Sequence, residues 1–128
     1  MGLSSSSGLV LAKVSANGQQ ISKSYIVNFE AIPYNESMIY KNGIFLILDP
    51  GYYEVKINFY SIVNTVFDAD LLVNNKHGYV YGRRNSKGSL NMSTIVKLNK
   101  YDSVFVRIKN GITSKWGDAN NFSIRKIN

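Results

Sequence analysis

Few residues of this chain have the types and spacing that catalysis requires. The 128 residues include one histidine, His77, and no cysteine. A thiolate nucleophile, a thiolate metal site and a disulfide framework are therefore excluded. His77 lies in a turn-like Asn-Lys-His-Gly segment with no local base–nucleophile motif beside it. We therefore expect a protein that is not an enzyme.

Two carboxylates are spaced so that they could share a cation. Asp68 and Asp70 are two residues apart, which places both on one face of a strand or around one turn. With backbone carbonyls they could hold Ca²⁺, which takes six to eight oxygen ligands. The alternative, which we favour, is one solvated carboxylate beside one turn cap. No other cofactor is expected.

The clearest candidate for ligand contact is the segment of residues 112–118, because it contains the single tryptophan of the chain. Trp116 follows Lys115 in a polar, turn-like context. Tryptophan is a frequent anchor of binding surfaces, and loops carry function more often than the scaffold does. Alternatively, Trp116 packs against the end of the β structure.

A second candidate binding surface alternates rings with cations. It contains Tyr79, Tyr81, Arg83 and Arg84. Such a surface could bind an anionic glycan or a phosphate through charge-assisted hydrogen bonds. The alternative is a solvated edge strand that charge protects from further pairing.

The net charge of the chain also favours an anionic ligand. The formal net charge is +7, which favours anionic partners, although a solvated basic surface would give the same value. The basic residues are scattered, which argues against nucleic acid as a partner. No apolar stretch reaches the roughly 18 residues that span a bilayer, and we expect a soluble domain without membrane insertion.

The elements that position these residues are predicted to be β-strands. In residues 52–62 apolar and polar side chains alternate with period 2, which a helix would not produce. Pairs such as Asn42-Gly43 and Asn110-Gly111 mark turns between short apolar segments. Spacing of this kind is typical of an all-β sandwich or barrel. The candidate strands are residues 9–14, 21–29, 44–48, 52–62, 69–73, 78–81, 90–98, 103–109 and 122–127.

The length allows one domain. Residues 1–8 are small and polar, which is typical of a flexible linker or an expression remnant. Residues 9–128 are expected to form the folded head.

The central third of the chain carries a more specific pattern. Residues 40–45 read Tyr-Lys-Asn-Gly-Ile-Phe, and residues 49–55 read Asp-Pro-Gly-Tyr-Tyr-Glu-Val. Together with residues 70–74, 98–106 and 121–124 they resemble the globular heads of the C1q/TNF-like superfamily, in a bacterial or phage form. Tyr101 and Ile124 stand where members of that family usually have glycine.

The resemblance implies a ten-stranded jelly-roll sandwich that assembles as a three-fold symmetric homotrimer. It implies that one sheet forms the contacts between copies, and the side of the long strand that bears Tyr52 and Tyr60 is the candidate interface. The alternative is that these tyrosines lie at the edge of the core. Some heads of this superfamily bind calcium, which is consistent with the Asp68 and Asp70 hypothesis.

The leading functional hypothesis is a trimeric, non-catalytic head that recognises a cell-surface glycan or protein. It would lie at the tip of a phage, bacterial or spore-surface fibre, and hence be extracellular or on a virion, spore or cell surface. The second hypothesis is a structural domain that trimerises and caps a fibrous protein and binds no ligand of its own.

Overall fold

The computed structural model describes residues 8–127, within which the chain forms ten β-strands and one short 3-10 turn. The strands are β1 (Leu11–Ser15), β2 (Ala31–Glu36), β3 (Ile39–Lys41), β4 (Ile44–Leu46), β5 (Gly51–Ser61), β6 (Phe67–Val73), β7 (Tyr81–Arg84), β8 (Gly88–Leu98), β9 (Ser103–Asn110) and β10 (Asn121–Lys126). The 3-10 turn is Gly117–Ala119. Of the predicted linker, all but Gly8 lies outside the described residues, so that boundary stays a prediction.

The strands form two five-stranded antiparallel sheets. The first sheet has the order β2-β1-β10-β5-β8, and the second has the order β3-β4-β9-β6-β7. Strands that are distant in sequence are neighbours in both sheets, as in a jelly roll. The predicted all-β, ten-stranded sandwich is confirmed.

Strand β5 follows the alternation read from the sequence. Tyr53, Val55, Ile57 and Phe59 are buried and point into the core, while the residues between them are more exposed. β5 pairs with β8 along its whole length and with β10 over residues 53–58. β5 therefore has a hydrogen-bonded neighbour on each side for much of its length, and its outward side chains belong to one face of the first sheet.

The core between the sheets is built around phenylalanine rings. Phe122 lies with its ring centroid 5.2 Å from Phe45 and 6.2 Å from Phe29, and Phe59 lies 5.5 Å from Phe67. All five side chains are almost fully buried. Large rings supply much apolar area in a small sandwich, so the aromatic content of the sequence accounts for a self-sufficient core.

The backbone conformation and the close packing at position 43, in the Tyr-Lys-Asn-Gly-Ile-Phe segment of residues 40–45, require glycine. The φ of Gly43 is +87°, and a Cβ there would lie 2.5 Å from the carbonyl oxygen of Val27. Only glycine adopts this conformation without strain and leaves room for the passing chain. The motif therefore marks a turn against which another segment packs.

The predicted strand at residues 21–29 is wrong. Ser24 forms one isolated bridge to Ile108, and the amide of Val27 donates to the carbonyl of Val106. Because β4 pairs with β9 only at Ser103 and Val104, this segment lies beside the rest of β9. Its backbone hydrogen bonds there are too few for a regular ladder.

Two strands were missed, and one was misplaced. β2 and β3 are short, largely exposed edge strands, and their polar residues and proline conceal strand character. β7 begins at Tyr81 rather than at Gly78, because Asn74, Asn75 and Gly78 adopt positive φ. That stretch forms a turn and a bend in place of an early strand.

Candidate functional site

The outward face of the first sheet carries both tyrosines of the predicted interface. Tyr52 and Tyr60 point outward near opposite ends of β5, Tyr52 exposed and Tyr60 half-buried. Trp116, which is 62% exposed, packs its indole against the ring of Tyr60 with centroids 4.9 Å apart. Trp116 therefore joins the face that carries the predicted interface residues.

A buried asparagine holds the loop that presents Trp116. The side chain of Asn120 donates to the carbonyl oxygens of Ser114 and Trp116, both at 3.1 Å, and accepts from the amide of Tyr60 at 2.9 Å. Asn120 has no exposed surface. Sequence reasoning did not identify it, although the structure shows that it ties the loop to β5. Lys115 is exposed in the same loop.

The residues of the second predicted surface lie on or beside β7, the edge strand of the second sheet. Tyr79, Tyr81 and Arg83 are exposed. Arg84 instead donates to the backbone carbonyls of Ser86 and Lys87 in the β7–β8 turn and to that of Ser89 at the start of β8. Three of the four residues are thus available to a ligand, while Arg84 organises the turn. The two predicted surfaces lie on different sheets and do not form one site.

Asp68 and Asp70 both face outward on β6, as their spacing predicts, yet both are buried. Asp70 accepts two hydrogen bonds from the guanidinium of Arg107, at 2.9 and 2.6 Å. Asp68 accepts from the hydroxyl of Tyr81 and from the side-chain amide of Asn110, each at 2.9 Å. Each of the four carboxylate oxygens therefore already has a donor.

Calcium binding by Asp68 and Asp70 stays a prediction, and it would require displacement of Arg107. Within residues 8–127 no group of three or more His, Asp or Glu side chains is arranged to hold a metal ion. His77 is exposed.

The carboxylates also set the protonation of their neighbours. Partial burial, followed by the hydrogen bond to Asp68, raises the pKa of Tyr81. The hydrogen bond to Asp70 raises the pKa of Arg107 above its already high value. Tyr81 is therefore a neutral donor and Arg107 a permanent cation at physiological pH.

Beside this network lies a cleft that sequence reasoning missed. It has a volume of about 370 Å³ and is lined by Lys23, Tyr25, Arg107, Ile108, Lys109 and Asn110; we call it the basic cleft. The alternation of β9 places Arg107 and Lys109 on one outward face. That signal was present in the sequence. Only the tertiary fold, however, brings residues 23–25 beside β9 to complete the cleft.

The two antiparallel sheets, with their strand order and outward faces, define a jelly-roll domain of the C1q/TNF type. The family model of the C1q domain matches residues 11–123. The chain therefore belongs to the C1q domain family. Domains of this family form trimeric assemblies and act in binding, are generally non-enzymatic, and are usually secreted or extracellular.

Solved structures show the same fold at low sequence identity. Eiger TNF from S. frugiperda matches with a TM-score of 0.76 and 11% identity over 94% of each chain. Murine APRIL matches with a TM-score of 0.72 and 15% identity over 94% of this chain and 99% of its own. The globular domain of the zebrafish complement 1qA protein matches with a TM-score of 0.71 and 16% identity over 93% and 98%.

No curated protein matches the chain significantly in sequence. A bacterial or phage origin stays a prediction. Within residues 8–127, no helix reaches the length and apolar character of a membrane-spanning segment.

Proposed function

We propose that this domain is a trimeric, non-catalytic binding head that recognises a cell-surface glycan or protein at the tip of a phage, bacterial or spore-surface fibre. In this proposal three copies associate through the outward face of the first sheet. The second sheet remains free for the ligand. The observation that carries the proposal is the exposed contact between Tyr60 and Trp116 on the first sheet.

Exposed apolar side chains on the outward face of the first sheet support the interface. Besides Trp116, Tyr52 is exposed on β5, and Ile95 is 60% exposed on β8. Ile95 lies opposite Glu54 in the β5–β8 register, so its side chain faces outward as well. Aromatic side chains are enriched at the centres of protein interfaces, and exposed apolar patches commonly mark association sites.

The opposite face of the sandwich supports ligand binding. Tyr79, Tyr81 and Arg83 are exposed on or beside β7, an edge strand of the second sheet, whereas Tyr60 lies on the first sheet. Three such surfaces on one rigid head would bind a repetitive cell surface with an avidity well above that of a single contact.

The test is the absolute mass in solution, measured by light scattering on a sizing column at low micromolar concentration. We expect three times the protomer mass of 14.4 kDa. A monomer at all concentrations would contradict the trimeric head. A stable trimer that binds none of a panel of surface glycans and proteins would instead support the structural capping role.

A further inference from the structure

We propose that the basic cleft binds an acidic saccharide, one that carries carboxylate or sulfate groups on its sugar rings. This inference rests on the proposed function of a ligand-binding head and names the chemistry of the ligand. The cleft volume of about 370 Å³ falls within the roughly 300–1,000 Å³ typical of small-molecule sites. Such a space suits a sugar unit better than a lone ion.

The charge of the lining favours an anion. Lys23, Arg107 and Lys109 line the cleft, and none of the six lining residues is acidic. Among residues 8–127 only Arg107 of these three forms an ion pair, with Asp70. The ammonium groups of Lys23 and Lys109 therefore have no carboxylate partner there. The carboxylates of Asp68 and Asp70, which bind Asn110 and Arg107 of the lining, are buried and do not themselves line the cleft.

Arg107 is positioned before any ligand arrives. Asp70 engages its Nε and one terminal nitrogen. A guanidinium has five N–H donors in a fixed plane, so three have no partner among residues 8–127, and the Arg107 side chain is 20% exposed. Because the fork to Asp70 holds that plane, little side-chain entropy remains to be lost when a carboxylate or sulfate binds.

Two tyrosine rings flank the cations. Tyr25 is 52% exposed, and its ring packs against Phe105 at 5.7 Å and against the Arg107 guanidinium at 5.7 Å. Tyr81 is 50% exposed, and Nζ of Lys109 lies 5.4 Å from its ring centroid. Rings that are fixed on one side and open on the other provide apolar platforms for the C–H face of a sugar.

The same features argue against nucleic acid as the ligand. A single-stranded nucleic acid follows a positively charged groove that extends over several nucleotides. Here the three lining cations belong to one partly open cleft of about 370 Å³ rather than to an extended groove, and the basic residues of the sequence form no run. A saccharide needs only one such site per repeating unit.

The inference is tested by calorimetric titration of the full chain with four probes: heparin, polygalacturonate, neutral dextran and a single-stranded DNA oligonucleotide. We expect binding of heparin, polygalacturonate or both, weakened by salt, and no binding of dextran. Heparin alone would identify sulfate as the recognised group, and polygalacturonate alone would identify carboxylate.

Variants assign the binding to the cleft. Lys23→Ala combined with Lys109→Ala should weaken binding by about tenfold or more, since two charged donors are lost. The matched control, Lys87→Ala with Lys100→Ala, removes the same charge from exposed turn residues outside the cleft. We expect a change of less than about twofold for this control. Tyr25→Leu keeps an apolar cover over Phe105 and should also weaken binding.

Three results would overturn the inference: equal losses in the cleft and control variants, binding of DNA without binding of either acidic saccharide, and no binding at low salt. The site lies within one protomer, so its failure is distinguishable from failure of the trimer. If the protein is a trimer but does not bind acidic saccharides, only this inference is overturned. A monomer that binds them overturns only the trimeric assembly.

Discussion

The indole of Trp116 packs against the phenol ring of Tyr60 with centroids 4.9 Å apart and planes inclined by 54°. The sequence suggested a ligand role for the first residue and an interface role for the second. Because the two rings touch, they belong to one surface, and both must be buried if three copies associate through it.

Replacement of Trp116 by alanine therefore tests the interface. We expect Trp116→Ala to raise the protomer concentration at which the trimer dissociates by at least about tenfold, as for truncation of an interface anchor. The stability of the isolated protomer should change by less than about 1 kcal/mol, because the side chain is mostly exposed. Sedimentation equilibrium gives the first quantity, and urea unfolding gives the second. An unchanged trimer with lost ligand binding would instead assign Trp116 to the ligand.

Asn120→Ala tests the support of the Trp116 loop. The substitution leaves the amide of Tyr60 and the carbonyls of Ser114 and Trp116 without this partner. The carbonyl of Ser114 keeps the hydroxyl of Thr113 as a donor and that of Trp116 keeps the amide of Ala119, so the main cost falls on the amide of Tyr60. An unsatisfied buried group costs about 1–3 kcal/mol, and we expect a loss of about 2 kcal/mol in urea unfolding. Tryptophan fluorescence should also become easier to quench. Asn91→Ala, at an exposed position on β8, is the control and should cost no more than about 0.5 kcal/mol.

Tyr101 adopts a left-handed backbone conformation at a position where the sequence resemblance leads us to expect glycine. Its φ is +71°, a left-handed conformation that costs an L-residue about 1–2 kcal/mol. Glycine removes this strain but adds flexibility to the unfolded chain. We expect Tyr101→Gly to stabilise the domain by roughly 0.5–1 kcal/mol.

The neighbouring turn residue provides the control for Tyr101. Lys100 is not among the residues with positive φ, so Lys100→Gly should destabilise the domain by about 0.5–1 kcal/mol. Thermal and urea unfolding of both variants measure these changes. A loss of stability in Tyr101→Gly would contradict the assignment of strain.

Stability should fall at alkaline pH because of buried tyrosines. Burial, with a smaller effect of Asp49, raises the pKa of Tyr53 from 10.0 to about 12, and burial raises the pKa of Tyr40 to about 12. The folded state therefore keeps protons that the unfolded state loses. The contribution of these two tyrosines to the free energy of unfolding is fully present below pH 10 and is lost as the pH rises from about 10 to 12.

Urea midpoints measured from pH 8 to pH 12 test this pH dependence. Tyr53→Phe should show a shallower decline above pH 10 than the unsubstituted chain, although it loses the hydrogen bond from the hydroxyl to the carbonyl of Asp49. Below pH 9 the two proteins should show the same pH dependence. Parallel curves up to pH 12 would contradict the role assigned to Tyr53.

Much of the fold could be predicted because its signals are local. The alternation in β5 and the glycine of the residue 40–45 segment each reflect backbone geometry that a few residues specify. The edge strands β2 and β3 escaped prediction because exposed strands need no apolar alternation. The segment at residues 21–29 was mispredicted because partial alternation does not reveal whether a partner strand is free.

The candidate sites could be predicted from the sequence only in part, because their composition depends on the tertiary structure. The sequence by itself determined the fold class, the shared face of Asp68 and Asp70, and the basic character of the surface. Only the tertiary structure decided that Arg107 engages Asp70, that Trp116 meets Tyr60, and that Lys23 and Lys109 line one cleft. Local periodicity sets which face of a strand a side chain occupies. The jelly-roll connections between strands that are distant in sequence decide what that side chain meets.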